Sequence, residues 1–221
     1  MTEQEWLVCK DPRRLLQFVG AKSSPRKLRL FACACCRHLW RFFKGLPRSR
    51  RALEVSERYA DGMATKAELR AGRKQARGCE LCAACTDALE AALRTADSAA
   101  YEARLLTLQS PVRDHVIEGC DLHTAAANRL AQEEERAQSN LIREIVGNPF
   151  RPVALDPTWR TPPALAVART VYEERRFEDL PMLADALEEA GCADEAILSH
   201  LRGPGPHVRG CWALDLVLGR S

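Results

Sequence analysis

Apolar residues along this chain recur at spacings of three and four, the period of one helix face. The end of the chain shows it most clearly: Ile197 and Leu201 are four apart, and Val208, Cys211, Leu214 and Leu218 follow at intervals of 3, 3 and 4. Strand signals are nearly absent. β-branched and aromatic residues never alternate over a useful length, no Asn-Gly or Asp-Gly pair joins two apolar runs, and Asp61-Gly62 follows a helical pattern. An all-α fold is expected, a helical bundle ending in a helical hairpin, and the punctuation between apolar stretches places its helices. Thr2 with Glu5 forms a capping box, while Asp11-Pro12 and Ser24-Pro25 each set an N-cap ahead of a proline at the first helical position. Gly20, Gly45 and Gly62 stand where those helices should stop. Thr65 with Glu68 opens a further helix that runs, with a break near Gly72 or Gly78, to the neighbourhood of Gln109; Ser110-Pro111 starts a long one ending at Gly147.

Residues 147–163 hold five prolines and are expected to be extended. They divide the chain into an N-terminal helical domain (1–147), a Pro-rich connector (148–163) that packs through Phe150 and Trp159, and a C-terminal helical module (164–221). Within that module Gly203-Pro204-Gly205-Pro206 forbids a continuous helix.

A length of 221 residues suffices for one sizeable core or two small ones. With 46% hydrophobic and 29% charged residues the composition is that of an ordinary globular protein. No run approaches the ~18 uncharged apolar residues of a membrane helix, so no membrane partner is expected. The first residues carry Glu3 and Glu5 and lack the basic and then apolar order of a secretory leader. Ten cysteines fall in clusters on predicted helices rather than spaced through loops. Without a leader, that arrangement favours reduced thiols and a cytoplasmic location.

On the helix predicted over residues 25–44, Leu28, Phe31, Ala32, Cys35, Cys36, Leu39, Phe42 and Phe43 share one broad sector. Arg26, Lys27, Arg37, His38, Arg41 and Lys44 fall opposite, giving a basic outer face. Residues 10–51 contain thirteen Lys or Arg against one acid, Asp11. Such a face suits the phosphates of a nucleic acid, with Arg26, Lys27, Arg37, Arg41 and Lys44 as contacts. The competing reading is internal pairing, for which Glu133-Glu134-Glu135 and Glu188-Glu189 are the acidic partners on offer. No recognition motif or aromatic platform accompanies the charge, so a protein partner or an internal contact is favoured over nucleic acid.

Three cysteine and histidine groups raise the question of metal. Cys33, Cys35, Cys36 and His38 crowd one short window, yet Cys33 and Cys35 point about 160° apart on a regular helix, so core packing is favoured. Cys79, Cys82 and Cys85 repeat a two-residue spacer met in zinc and iron–sulfur sites and lie within about a 120° arc of a helix. Cys120 and His123 are their completing ligands in the zinc reading, whereas continuation of the arc through Leu89, Leu93, Ala96 and Ala100 reads as a buried stripe. Cys192, His200, His207 and Cys211 are separated by 7, 6 and 3 residues, which matches no finger spacing, and a Cys211 packed with Trp212 is preferred. No cofactor is expected, with zinc as the alternative. Phosphate-loop, Gly-x-Ser-x-Gly and His-Glu-x-x-His signatures are all missing. His115 and Glu118, one helical turn apart, offer an acid/base or metal pair, but on a charged helix they read as a solvated ion pair.

The run from Ala196 to Gly219, with Leu201-Arg202, a proline turn, Val208-Arg209 opening a second helix and Leu218-Gly219 closing it, resembles one unit of a HEAT-type helical repeat. Asp156-Pro157-Thr158-Trp159, Tyr172-Glu173-Glu174-Arg175-Arg176-Phe177 and Leu183-Ala184-Asp185-Ala186-Leu187-Glu188-Glu189-Ala190-Gly191-Cys192, together with Phe31-Ala32-Cys33-Ala34-Cys35-Cys36-Arg37, resemble a large paralogous family of uncharacterised bacterial proteins. The stretch beginning Leu183-Ala184-Asp185 is also similar to the repeat-companion domain of bacterial repeat proteins. These resemblances imply a helical-repeat-like fold and no reaction. The expected function is therefore a helical protein-interaction or scaffold module. The alternatives are a nucleic-acid-associated protein using residues 10–51 and a metal-binding protein centred on Cys79, Cys82 and Cys85.

Overall fold

A computed structural model describes residues 1–40, 47–75, 88, 90–97, 99 and 121–220, with the backbone alone at 47–49 and 121–127. Among the described residues every regular element is helical, and no described helix is long and apolar enough to cross a membrane. The chain divides into two compact units, Met1–Ile142 and Arg143–Ser221.

In the first unit the expected caps form. Thr2 and Glu5 exchange both bonds of a capping box at the start of α1 (Glu3–Val8), the Asp11 carboxylate accepts from Arg13 and Arg14 backbone N–H groups at α2 (Pro12–Val19), and Ser24 Oγ caps α3 (Pro25–Leu39). The Thr65 and Glu68 box opens α5 (Lys66–Gln75), which packs on α4 (Pro47–Ala60), and α4 packs in turn on α3. α5 runs unbroken through Gly72, since a helical glycine costs only about 1 kcal/mol and the contact with Ala52 and Val55 of α4 offsets it; Gly78, the other position expected for a break, lies outside the described residues.

α3 departs from expectation in two ways. It ends at Leu39, with the Trp40 N–H bonded to the Arg37 carbonyl, short of Lys44. It is also buried at every position from 28 to 36, including Arg29 and Cys33, so it is a central helix covered on several sides rather than an amphipathic one with an open basic face. Cys35 and Cys36 lie in the core as their positions beside Phe31 and Leu39 require.

The second unit begins in the last turn of α6 (Asp121–Val146), which stops at Gly147 in the left-handed region (φ 76°). Residues 147–161 run as a strap containing one 3-10 turn, Pro157–Trp159, held by the Asp156 side chain. Val153, Leu155 and Trp159 of this strap pack against the core, whereas Phe150 is 38% exposed and does not anchor it. Pro162 and Pro163 belong to the first turn of α7 (Pro162–Glu174) instead of the extended segment, since proline suits N1. α8 (Leu180–Glu189) packs between α7 and α9 (Glu195–Arg202), and α10 (Trp212–Leu218) returns onto α7. Tyr172, Leu180, Leu183, Ile197, Leu201 and Leu214 form the centre of this core. α10 opens four residues later than its apolar spacing suggests, because Gly210 takes φ 95° and the Cys211 N–H closes a turn on the Val208 carbonyl.

Candidate functional site

Within the second unit, four chemistry-bearing side chains converge. Glu144 comes from the last turn of α6, His200 from the last turn of α9, His207 from the loop after Pro206, and Cys211 is the N-cap residue just before α10. The loop reaches the cluster because Gly205 takes φ 86°, where a Cβ would lie 2.5 Å from the backbone nitrogen of His207. Arg209 fixes the far side of the loop, donating from Nη2 to the Tyr172 carbonyl at 3.3 Å with its guanidinium over the Tyr172 ring.

The Glu144 carboxylate faces both histidines: Oε1 lies 3.0 Å from His207 Nδ1 and Oε2 lies 3.3 Å from His200 Nε2. His200 Nε2 is also 3.2 Å from Cys211 Sγ. On its other side His207 places Nε2 3.0 Å from the Gly203 carbonyl. One candidate ligand atom from each of the four residues lies within 4.8 Å of the others. The cluster is turned inward. The side chains of Glu144, His207 and His200 are 4%, 8% and 20% exposed, Cys211 is buried, and the Trp212 ring lies over His200 at 4.8 Å between centroids.

The electrostatics follow from that burial. Desolvation alone would raise the Glu144 carboxyl, but the bonds from His200 and His207 outweigh it and hold the group below its usual range. Burial likewise pulls the His207 imidazole down, and the Glu144 bond and charge overcome this to leave it raised. The Cys211 thiol is pushed up, first by burial and then by the negative Glu144. A carboxylate, two imidazoles and a thiol at these distances suit a shared proton or a bound cation, and among the described residues this is the one such convergence of three or more ligand types.

Three of the four residues grouped by spacing near the C-terminus therefore do meet, with Glu144 in place of Cys192, which packs in the unit's core. Glu144 escaped sequence reasoning because it lies far along the chain from the other three. One signal was available: it falls three residues after buried Leu141 and beside buried Ile145, a charge set among core positions.

The other candidate groups stay apart or fall outside the description. Cys33, Cys35 and Cys36 are core residues, and His38 turns away to pair through Nδ1 with Glu134 Oε2 at 2.8 Å. Cys79, Cys82, Cys85, Cys120, His115, Glu118, Arg41 and Lys44 lie outside the described residues, and the side chain of His123 does too. Of the basic face, Arg26 donates to Asp61 at 2.9 Å, and Arg37 holds Glu57 with two bonds of 2.6 and 2.8 Å. The acids that meet this face are Asp61, Glu57 and, against His38, Glu134 of the expected acidic run; Glu188 pairs with Arg202 inside the second unit. Lys27 is half-buried in the first turn of α3, its backbone N–H donating to Ser24 Oγ. A cavity of about 400 Å³ beside α1 is lined by Glu5, Lys10, Asp11, Arg14 and Glu135 among others, charges of both signs.

No protein-family model matches the chain, and neither a curated protein nor a solved structure matches it.

Proposed function

We propose that the chain acts as a helical protein-interaction module whose C-terminal unit supplies the contact surface. One observation carries this reading: the cluster in which that unit concentrates its reactive side chains is buried and satisfied from within, with Glu144 only 4% exposed. A group that acts on a substrate has to reach it, so these residues support the architecture and leave the helical exterior to act. α9 and α10, short helices joined by a proline turn, are the pair read as HEAT-like. Added to α7 and α8, they would complete a platform that one such pair could not form alone.

The reading is tested by placing a photo-cross-linking residue at Met182, 57% exposed on α8, and separately at Phe150 in the full-length protein inside its own cells. A single protein adduct, competed away by excess wild type, is expected, and the adduct from the Phe150 position should be lost when Met182→Glu is added. The absence of a competable adduct at either position, or adducts to nucleic acid alone, overturns it.

A further inference from the structure

All four groups of the inward cluster turn a potential ligand atom toward one another. The Gly203 carbonyl accepts the His207 Nε2–H, which leaves Nδ1 as the ring nitrogen turned to Glu144. His200 Nε2 sits between Glu144 Oε2 and Cys211 Sγ and can donate to only one of them. Protons satisfy these contacts one pair at a time. A cation at the centre would displace those protons and engage all four atoms together, and the backbone carbonyl behind His207 is the outer partner that metal-bound histidines usually have. We infer that Glu144, His200, His207 and Cys211 form a mononuclear transition-metal site, with zinc the ion its ligand set fits best.

The ligand types decide the metal. Calcium and magnesium take oxygen ligands, and copper(I) selects soft sulfur, whereas one carboxylate, two imidazoles and one thiolate suit zinc. Tetrahedral zinc with bonds of about 2.0–2.3 Å sets neighbouring ligand atoms roughly 3.3–3.7 Å apart. His207 and His200 lie 3.0 and 3.3 Å from the two Glu144 oxygens, His200 lies 3.2 Å from Cys211 Sγ, and with one atom from each residue no pair exceeds 4.8 Å, so the ligands reach that geometry by side-chain shifts of about an ångström. Four protein ligands fill the tetrahedron, which makes the ion structural. It ties the end of α6 to the last turn of α9, to the loop before α10 and to the residue that caps α10.

The test uses full-length protein purified without an affinity-metal column, then stripped and titrated with cobalt(II) and zinc. One equivalent should bind, with the ligand-field spectrum of a tetrahedral site and a thiolate-to-cobalt band in the near ultraviolet. C211S should abolish that band, Glu144→Gln and His207→Gln should each weaken binding by more than the ~10–100-fold that loss of an outer-shell partner costs, and C192S should change neither. X-ray absorption of the zinc-loaded wild type needs no variant to fold and should report one sulfur with three nitrogen or oxygen neighbours. Folded wild type that binds no metal overturns the inference. So does a shell of two or more sulfurs, or a cobalt band that survives C211S and disappears when Cys79, Cys82 and Cys85 are replaced.

Discussion

Arg37 shows how a single side chain can mislead when its surroundings are unknown. Its guanidinium grips Glu57 with two bonds, and Glu57 is only 2% exposed, so the cation neutralises an internal acid. Removing the cation leaves a buried carboxylate without its charge partner: Arg37→Gln should cost about 3 kcal/mol in urea unfolding, within the range for a broken buried pair. Its chain neighbour Cys36 has no exposed surface, and C36S should destabilise by about 1–3 kcal/mol because a hydroxyl would replace a buried thiol. In the second unit, the Glu144–His207 pair makes the stability of the metal-free protein depend on pH. Glu144 is lowered, so its contribution is present above its unfolded value of about 4.5 and is lost as pH falls through the folded one. His207 is raised, so its contribution is complete below about 6.5 and is lost as pH rises through its folded value. In chelator, stability should therefore fall from pH 5.5 to 8.5 by more in wild type than in His207→Gln, as read by denaturant midpoints.

At the scale of elements, the loop between α9 and α10 is shaped by its glycines. Gly205→Ala would bring a Cβ within 2.5 Å of the His207 backbone, so this variant should lower the melting temperature and unseat His207, visible as altered histidine NMR shifts. Trp159 of the strap is half-buried against the core, and Trp159→Ala should cost about 2 kcal/mol, below the ~3–5 of a fully buried aromatic. The helices and most of their boundaries could be read from the chain because a cap is local: Thr2, Asp11, Ser24 and Thr65 each bond within three residues of themselves. The start of α10 could not, since its 3, 3 and 4 apolar spacing runs unbroken through Gly210 and only the positive φ there halts the helix. The burial of α3 on several sides was hidden for a different reason. Arg29 and Arg37 look like surface residues until the acids and rings of α4 close over them. Glu144 was hidden because its meaning comes from residues more than fifty positions away.

For the molecule as a whole, charge is the property that composition overstates. The net charge is +3, and the dense basic stretch at one end is partly consumed by Asp61 and Glu57, so duplex and single-stranded nucleic acid should bind more weakly than micromolar at physiological salt. Anisotropy titrations that found tighter binding, weakening with a slope of about 0.9 per phosphate contact, would reverse this ranking. One further property follows from the thiols of α3. Cys33, Cys35 and Cys36 are at most 1% exposed, and the Cys33 thiol is pushed up to about 12, first by burial and then by the charge of Glu57. A thiol reacts as its thiolate, so an oxidant or alkylating agent meets almost no nucleophile there while the helix stays covered. Their labelling rate becomes a clock for opening: each modified cysteine records an occasion on which α3 came uncovered, and oxidative damage at these positions reports lost packing rather than causing it.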